Sequence, residues 1–190
     1  ENGVKTSSFD YVVSTIPLTV LLSALGHTSE HASIRFRSMT FVFLEIPKAQ
    51  MSSFSWVYFP DEDICFQRST EFSHFDADLN PSGWTGVCLE ISCFPDEPIW
   101  AAKDEEILAL VRKDLDTVGL LGSEIECRGH VVRKRYIYPI QVAGYLETVH
   151  EALGPVRRLD NIVSTGRQGL YKYCNMNECM EMAIEVAEQI

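Results

Sequence analysis

The residues of this chain best suited to holding a ligand are concentrated at 161–177, NIVSTGRQGLYKYCNMN. Gly166 and Gly169 let backbone approach a bound group closely. Arg167 offers a two-pronged donor for a phosphate or carboxylate, and Tyr171 and Tyr173 add rings with hydroxyls. The order of elements matters as much as the residue types: an apolar strand over 161–165, a glycine-bearing turn, then a helix to Ile190. An α/β sheet takes its ligands at such a junction, beyond the carboxyl end of a strand and against a helix N-terminus. Free N–H groups and the positive end of the helix dipole favour negative charge there. Asn175, Met176 and Asn177 open the last helix, and either asparagine is also a good N-cap.

Two further segments carry candidates. In 56–75, WVYFPDEDICFQRSTEFSHF, Arg68 stands mid-strand between Phe66 and Phe72, so its head must reach water or find an anion. Histidine as a residue type suits acid-base work near neutrality, which makes His74 a candidate acid-base group, although such a histidine is more often a packing or surface residue. In 133–140, RKRYIYPI, the cations read as a solvated strand face, Pro139 ends the strand, and Tyr138 is taken as the site member. No Ser-His-Asp order, HExxH or P-loop occurs, so hydrolase, zinc-peptidase and kinase chemistry have no footing.

The elements that must position these residues form a mixed α+β pattern. Residues 10–17 read as a short apolar strand ending in proline, and 18–25 as a helix closed by Gly26. Alternating strands follow at 34–46, 56–59, 64–70, 85–93 and 124–138, a largely antiparallel sheet with one face covered and the other toward a ligand or water. Turns are expected at 60–63 and 80–83. A helix from Asp104, its N-cap, carries Ile107, Leu108, Val111, Leu115 and Val118. Another over 141–153 turns Val142, Leu146, Val149 and Leu153 inward and stops at Gly154 and Pro155. The last helix is expected to pack through Met180, Ala183, Ile184 and Ala187.

Taken together, GRQGLYKYCNMN resembles the C-terminal flavin motif of the UDP-galactopyranose mutases and their relatives, the protoporphyrinogen oxidase and amine oxidase flavoproteins. The family writes it roughly G-R-x-G-x-[YW]-[RK]-Y-x-D-M-D, and Asn175 and Asn177 replace the two acids. Segment 56–75 resembles the mutase hairpin Y-F-P-E-D-x-x-P-F-x-R-x-x-x-F-S-x-[YF], and 10–17 a family strand that returns to the nucleotide-binding domain. The resemblance implies that Arg68, Phe75, Tyr138 and Tyr173 line the substrate and that Gly166, Arg167, Asn175, Met176 and Asn177 contact the flavin. Phe75 stands where eukaryotic mutases have tyrosine. No protein residue is assigned as catalytic, since flavin N5 is expected to carry the chemistry.

The implied layout has 1–32 as a returning strand and helix of an FAD-binding domain, 33–154 as a substrate-binding domain, and 155–190 as a flavin-contacting strand, turn and helix. No G-x-G-x-x-G follows the first strand, so the elements of a Rossmann-like FAD domain are incomplete. The expectation is a C-terminal fragment of an FAD-dependent enzyme acting on a nucleotide sugar, lacking the N-terminal half of its FAD domain and not retaining FAD alone. An oxidase or desaturase of the amine oxidase or protoporphyrinogen oxidase type is the alternative enzyme, and a stand-alone ligand-binding module the alternative outside catalysis. A net charge of −11 over 190 residues argues against nucleic-acid partners. The longest apolar run is too short to span a bilayer, and the protein reads as cytoplasmic. Six cysteines without a CxxC pair read as reduced thiols, not as disulfides or a metal site.

Overall fold

The computed structural model describes residues 6–27 and 33–190; parts of the expected first segment, 1–5 and 28–32, lie outside the described residues. The chain folds as two compact units, 37–137, and 1–36 with 138–190. Segment 138–154, placed by the sequence with the middle domain, thus folds with the terminal segments.

In the 37–137 unit the sheet is antiparallel and ordered β3-β4-β5-β2-β6. Its strands are β2 (Phe36–Ile46), β3 (Trp56–Tyr58), β4 (Arg68–Glu71), β5 (Thr85–Cys93) and β6 (Arg128–Pro139). β2 and β5 pair along their whole length, from Ser38 opposite Cys93 to Ile46 opposite Thr85. Alternation places Val42, Leu44 and Ile46 with Val87, Leu89 and Ile91 on one face. The helix α3 (Asp104–Thr117) lays Ile107, Val111 and Leu115 onto that face, and Phe66 and Leu121 complete the core. Each such side chain contributes about 1.5–3 kcal/mol on leaving water. The N-cap of α3 is Lys103, not Asp104: the Glu106 carboxylate accepts the Lys103 N–H at 3.1 Å, so the chain is turned one residue earlier. A short helix α2 (Pro98–Ala101) precedes it. The expected turns are present, with Asp61 O accepting from Ile64 N and Pro81 O from Trp84 N.

The second unit holds a two-stranded parallel sheet, β1 (Val12–Ser14) with β7 (Ile162–Ser164), in register Val12 to Ile162 and Ser14 to Ser164. Helix α1 (Leu18–Ala24) follows β1 and buries Leu18, Leu21 and Leu22. The helix expected over 141–153 is α4 (Tyr145–Ala152), which starts late because Gly144 adopts a positive φ of 80°. Val149 and Leu153 are buried as expected, whereas Val142 and Leu146 are exposed. Gly154 and Pro155 do not stop the chain but open a further turn, α5 (Gly154–Arg157), with proline where its missing N–H costs nothing. After β7 come α6 (Gly166–Gly169) and α7 (Met176–Gln189). α7 turns Met182 inward and leaves Met180 and Ile184 exposed, the reverse of the expected face.

Candidate functional site

The turn after β7 is built by three residues. Gly166 has φ of +76°, a region that favours glycine, and the space beside its Cα is open. Gly169 is required by packing: a Cβ there would lie 2.7 Å from Ser164 Oγ and 3.2 Å from Ser14 O, so glycine lets the turn close on both parallel strands. Tyr171 is the third. It is buried with φ of +51°, a conformation costing a non-glycine residue about 1–2 kcal/mol. Its hydroxyl repays this by accepting the Ile140 N–H at 2.9 Å and donating toward Arg35 O at 2.6 Å and Ile140 O at 2.7 Å. Its ring packs edge-on to Phe36. Burial pushes the phenol above its ordinary pKa, with the bonds to Ile140 and Arg35 opposing. Tyr171 is therefore a structural pin, and its hydroxyl is committed within the fold.

Around this pin, Arg167, Tyr138 and Tyr173 gather. The Arg167 guanidinium lies 4.9 Å from the Tyr138 ring centre and 4.6 Å from that of Tyr173, and the two rings face each other at 5.7 Å and 27°. Charge over ring faces is attractive. Arg167 Nη1 donates to Cys174 O at 2.6 Å, which fixes the extended segment leading into α7 and uses one of five guanidinium N–H groups. Tyr173 is exposed, and Tyr138 and Arg167 are half-buried.

Asn175 is the N-cap of α7, and Met176 and Asn177 are exposed at its start. The Asn175 N–H is taken by the Glu178 carboxylate at 2.9 Å, and Lys172 Nζ lies 3.8 Å from that carboxylate. A negative group is thus already present at this helix start, partly offset by Lys172, and of the two asparagines offered as N-caps Asn175 is the one used.

The other predicted residues belong to the 37–137 unit. Arg68 has found its anion: it bonds the buried Glu90 directly across the β4–β5 pair through Nε at 2.9 Å and through Nη2 to the same oxygen. Arg68 Nη1 also donates to Tyr58 Oη at 3.3 Å. Phe75 is exposed and stacks on Trp56 at 6.1 Å. His74 Nε2 lies 3.0 Å from Ser52 O and 3.6 Å from Glu71. Glu71 is buried and accepts from Met51 N, Ser52 N and Oγ, Ser73 Oγ and Thr85 Oγ1, so a structural carboxylate organises this corner.

Sequence reasoning missed Glu71, Glu90 and Arg37. Arg37 holds Ser92 and Glu97 and lies 4.2 Å over Phe94. The available signal was an acid within a strand of alternating apolar residues, which must be paired if it is buried. A cleft of about 390 Å³ also opens beside Glu45, Asn80, Trp84 and Arg128, none of them singled out from sequence. Among the described residues no group of three or more His, Cys, Asp or Glu is placed to hold a metal, and no helix is long and apolar enough to cross a membrane.

Fold and site define an α+β chain: an antiparallel sheet backed by a helix, and a small parallel pair whose turn carries an Arg-Tyr cluster. That fold is shared with part of a UDP-galactopyranose mutase, solved in its reduced state, at a TM-score of 0.73 and 22% identity over 88% of this chain and 37% of that one. It is shared also with a protein assigned as a protoporphyrinogen oxidase from Exiguobacterium sp. 255-15, at TM-score 0.71 and 16% identity over 95% of this chain and 40% of the other. An oxidoreductase from Methanosarcina mazei matches at TM-score 0.61 and 11% identity, over 96% and 43%. The chain thus spans about two fifths of the length of each. No family model matches it, and no curated protein does.

Proposed function

We propose that this chain is the substrate-binding and flavin-contacting part of a cytoplasmic FAD-dependent enzyme that acts on a nucleotide sugar, as a UDP-galactopyranose mutase does. The observation that carries this reading is the gathering of Tyr138, Arg167 and Tyr173 at the carboxyl end of β7, facing the start of α7. A cation beside two stacked phenols suits a ligand that joins negative charge to a planar ring. FAD fits this chain in part. The open side of Gly166, the Arg167 guanidinium and the α7 start suit the ring end of the cofactor, with Gly166, Arg167, Asn175, Met176 and Asn177 as its contacts. The glycine loop that would hold its diphosphate is not in this sequence. A bound reduced flavin would supply the nucleophilic chemistry; Tyr138 and Tyr173 would orient the substrate and Arg167 would balance charge, while Arg68, in the 37–137 unit, is taken as a substrate residue on the resemblance alone.

The same reading makes 1–36 with 138–190 an incomplete domain. Parallel strands are normally covered on both faces, yet Val12 and Val13 of β1 are 37% and 47% exposed, and Met176, Met180 and Ile184 form an uncovered stripe on α7. The remainder of an FAD domain would cover them.

Two experiments test this. The purified chain should be colourless and bind no stoichiometric FAD, and a yellow protein would sink the fragment proposal. In the full-length enzyme with reduced flavin and UDP-galactopyranose, Tyr173→Phe should lower kcat/KM about tenfold, and Arg68→Ala by tenfold to a hundredfold, with His74→Ala near wild type. Turnover of an amine or porphyrinogen in air, and none of a nucleotide sugar, would favour the second reading, a flavin oxidase. Two observations support that alternative: Phe75 stacks on Trp56 with no hydroxyl, and Arg68 is already held by Glu90.

A further inference from the structure

The sulfur atoms of Cys174 and Cys179 lie 3.7 Å apart, across the start of α7. Cys174 is buried in the extended segment just before the N-cap, and Cys179 is half-exposed in the helix, its N–H donating to Asn175 O at 3.2 Å. A disulfide needs a separation near 2.05 Å, so the two must approach by roughly 1.7 Å, within reach of side-chain rotation at the junction between an extended segment and a helix turn. The other cysteines are placed differently. Cys93 is buried against Thr40 Oγ1 at 3.6 Å. Burial and Asp114 push the Cys65 thiol up, and burial with Glu90 pushes Cys88 up to about 12. Burial also raises Cys174, which leaves the half-exposed Cys179 as the thiol that meets an oxidant first.

We propose that Cys174 and Cys179 are a redox-active dithiol, a site of reversible disulfide formation by low-molecular-weight disulfides such as oxidised glutathione. Cys179, as thiolate, attacks one sulfur of the glutathione disulfide, forming a mixed disulfide and expelling one glutathione thiolate. Cys174, as thiolate, then attacks the Cys179 sulfur, forms the Cys174–Cys179 bond and expels the second glutathione thiolate. The two cysteine protons end on the two glutathione thiols, and two electrons pass from the protein to the oxidant. The consequence lies at the site: Cys174 O is the anchor of Arg167 Nη1, so the disulfide ties the Arg167 anchor to α7. The chemistry concerns the chain's own sulfurs and does not depend on the flavin proposal.

The test equilibrates the 190-residue chain in glutathione buffers from fully reduced to disulfide-rich, quenches with N-ethylmaleimide, unfolds it and maps the peptides by mass. The expected product has Cys174 and Cys179 unalkylated and two hydrogen masses lighter, with Cys65, Cys88, Cys93 and Cys127 alkylated, and dithiothreitol reverses it. Alkylation of both thiols at every ratio, a stable glutathione adduct on Cys179, or crosslinks to other cysteines would overturn the proposal. Cys179→Ser, at the half-exposed position, should leave Cys174 alkylated throughout; oxidation of Cys174 in that variant would refute the order of steps. Phenylarsine oxide, which needs two adjacent thiols, should bind once to the reduced wild-type chain and not to the oxidised one. Absence of binding to the reduced chain would count equally against the dithiol.

Discussion

Removing Arg68 should cost the fold before it costs any ligand. Its partner Glu90 has a side chain only 7% exposed, whereas that of Arg68 is 30% exposed, and the two contacts from guanidinium to carboxylate share one oxygen. A wholly buried pair broken on one side costs about 3–5 kcal/mol, and an exposed one about 0–1 kcal/mol. With the arginine one-third in water, Arg68→Met should cost about 2–3 kcal/mol, nearly all of it from the carboxylate left behind. Glu90→Gln keeps an acceptor for the guanidinium and should cost about 1–2 kcal/mol. The double variant leaves no buried charge, and it should be less destabilised than the sum of the singles by about 1.5–2 kcal/mol. Urea unfolding of the four proteins measures this directly. Additivity within about 0.5 kcal/mol would refute the argument, since it would mean that the two residues do not hold each other. In the flavoenzyme proposed above Glu90→Gln is then the informative variant: if Arg68 serves a ligand, loosening its tie to Glu90 should leave substrate affinity intact or raise it.

Other expectations follow from single contacts. Tyr171→Phe removes the hydroxyl that joins Ile140 and Arg35 and should cost about 1–3 kcal/mol, seen as faster hydrogen exchange at the Ile140 amide. Gly169→Ala drives a methyl to 2.7 Å from Ser164 Oγ and should cost about 1–3 kcal/mol, read as a fall in Tm of several degrees. Asp114→Ala removes both the acceptor of the Cys65 N–H at 2.8 Å and one of the groups holding the Cys65 thiol up. The folded variant should lose about 1–3 kcal/mol, and Cys65 should react with a disulfide reagent at a lower pH than in wild type. Met180→Lys with Ile184→Lys should leave this chain within about 0.5 kcal/mol of wild type, because both side chains are exposed, yet destabilise the flavoenzyme proposed above, whose FAD domain would cover them.

The sheet was legible because its signal is local. Alternation over 85–93 and 34–46 gave strands that pair along their length, and the stripe at Ile107, Val111 and Leu115 gave the covering helix. Helix ends were less legible, because they turn on single backbone choices: the positive φ of Gly144 shortens α4, and Glu106 moves the cap of α3 to Lys103. The face of α7 was misjudged for a different reason. Periodicity shows which residues share a stripe but not whether anything lies opposite it, and here the stripe of Met180 and Ile184 faces outward while Met182 points in. The head of Arg68 was expected to reach water or an anion, and that it meets Glu90 depended on the β4–β5 register, which a sequence does not display.

In the terminal motif, backbone geometry divides residues of the same type into two kinds. Tyr171 and Tyr173 are two apart, and by type each offers the same ring and hydroxyl. The positive φ at Tyr171 sends its ring inward, where three backbone groups occupy the hydroxyl. The chain then runs extended, and Tyr173 emerges exposed beside Arg167. The glycines divide similarly, with Gly169 filled against Ser164 and Ser14 and Gly166 open on its Cα side. Gly166, Gly169, Tyr171 and Ser164 therefore build the turn, and Arg167 and Tyr173 are what the turn presents. A substitution in the first group, Gly166 at its positive φ included, should lower stability, whereas Tyr173→Phe, at an exposed side chain, should leave stability unchanged and lower the binding proposed for this turn.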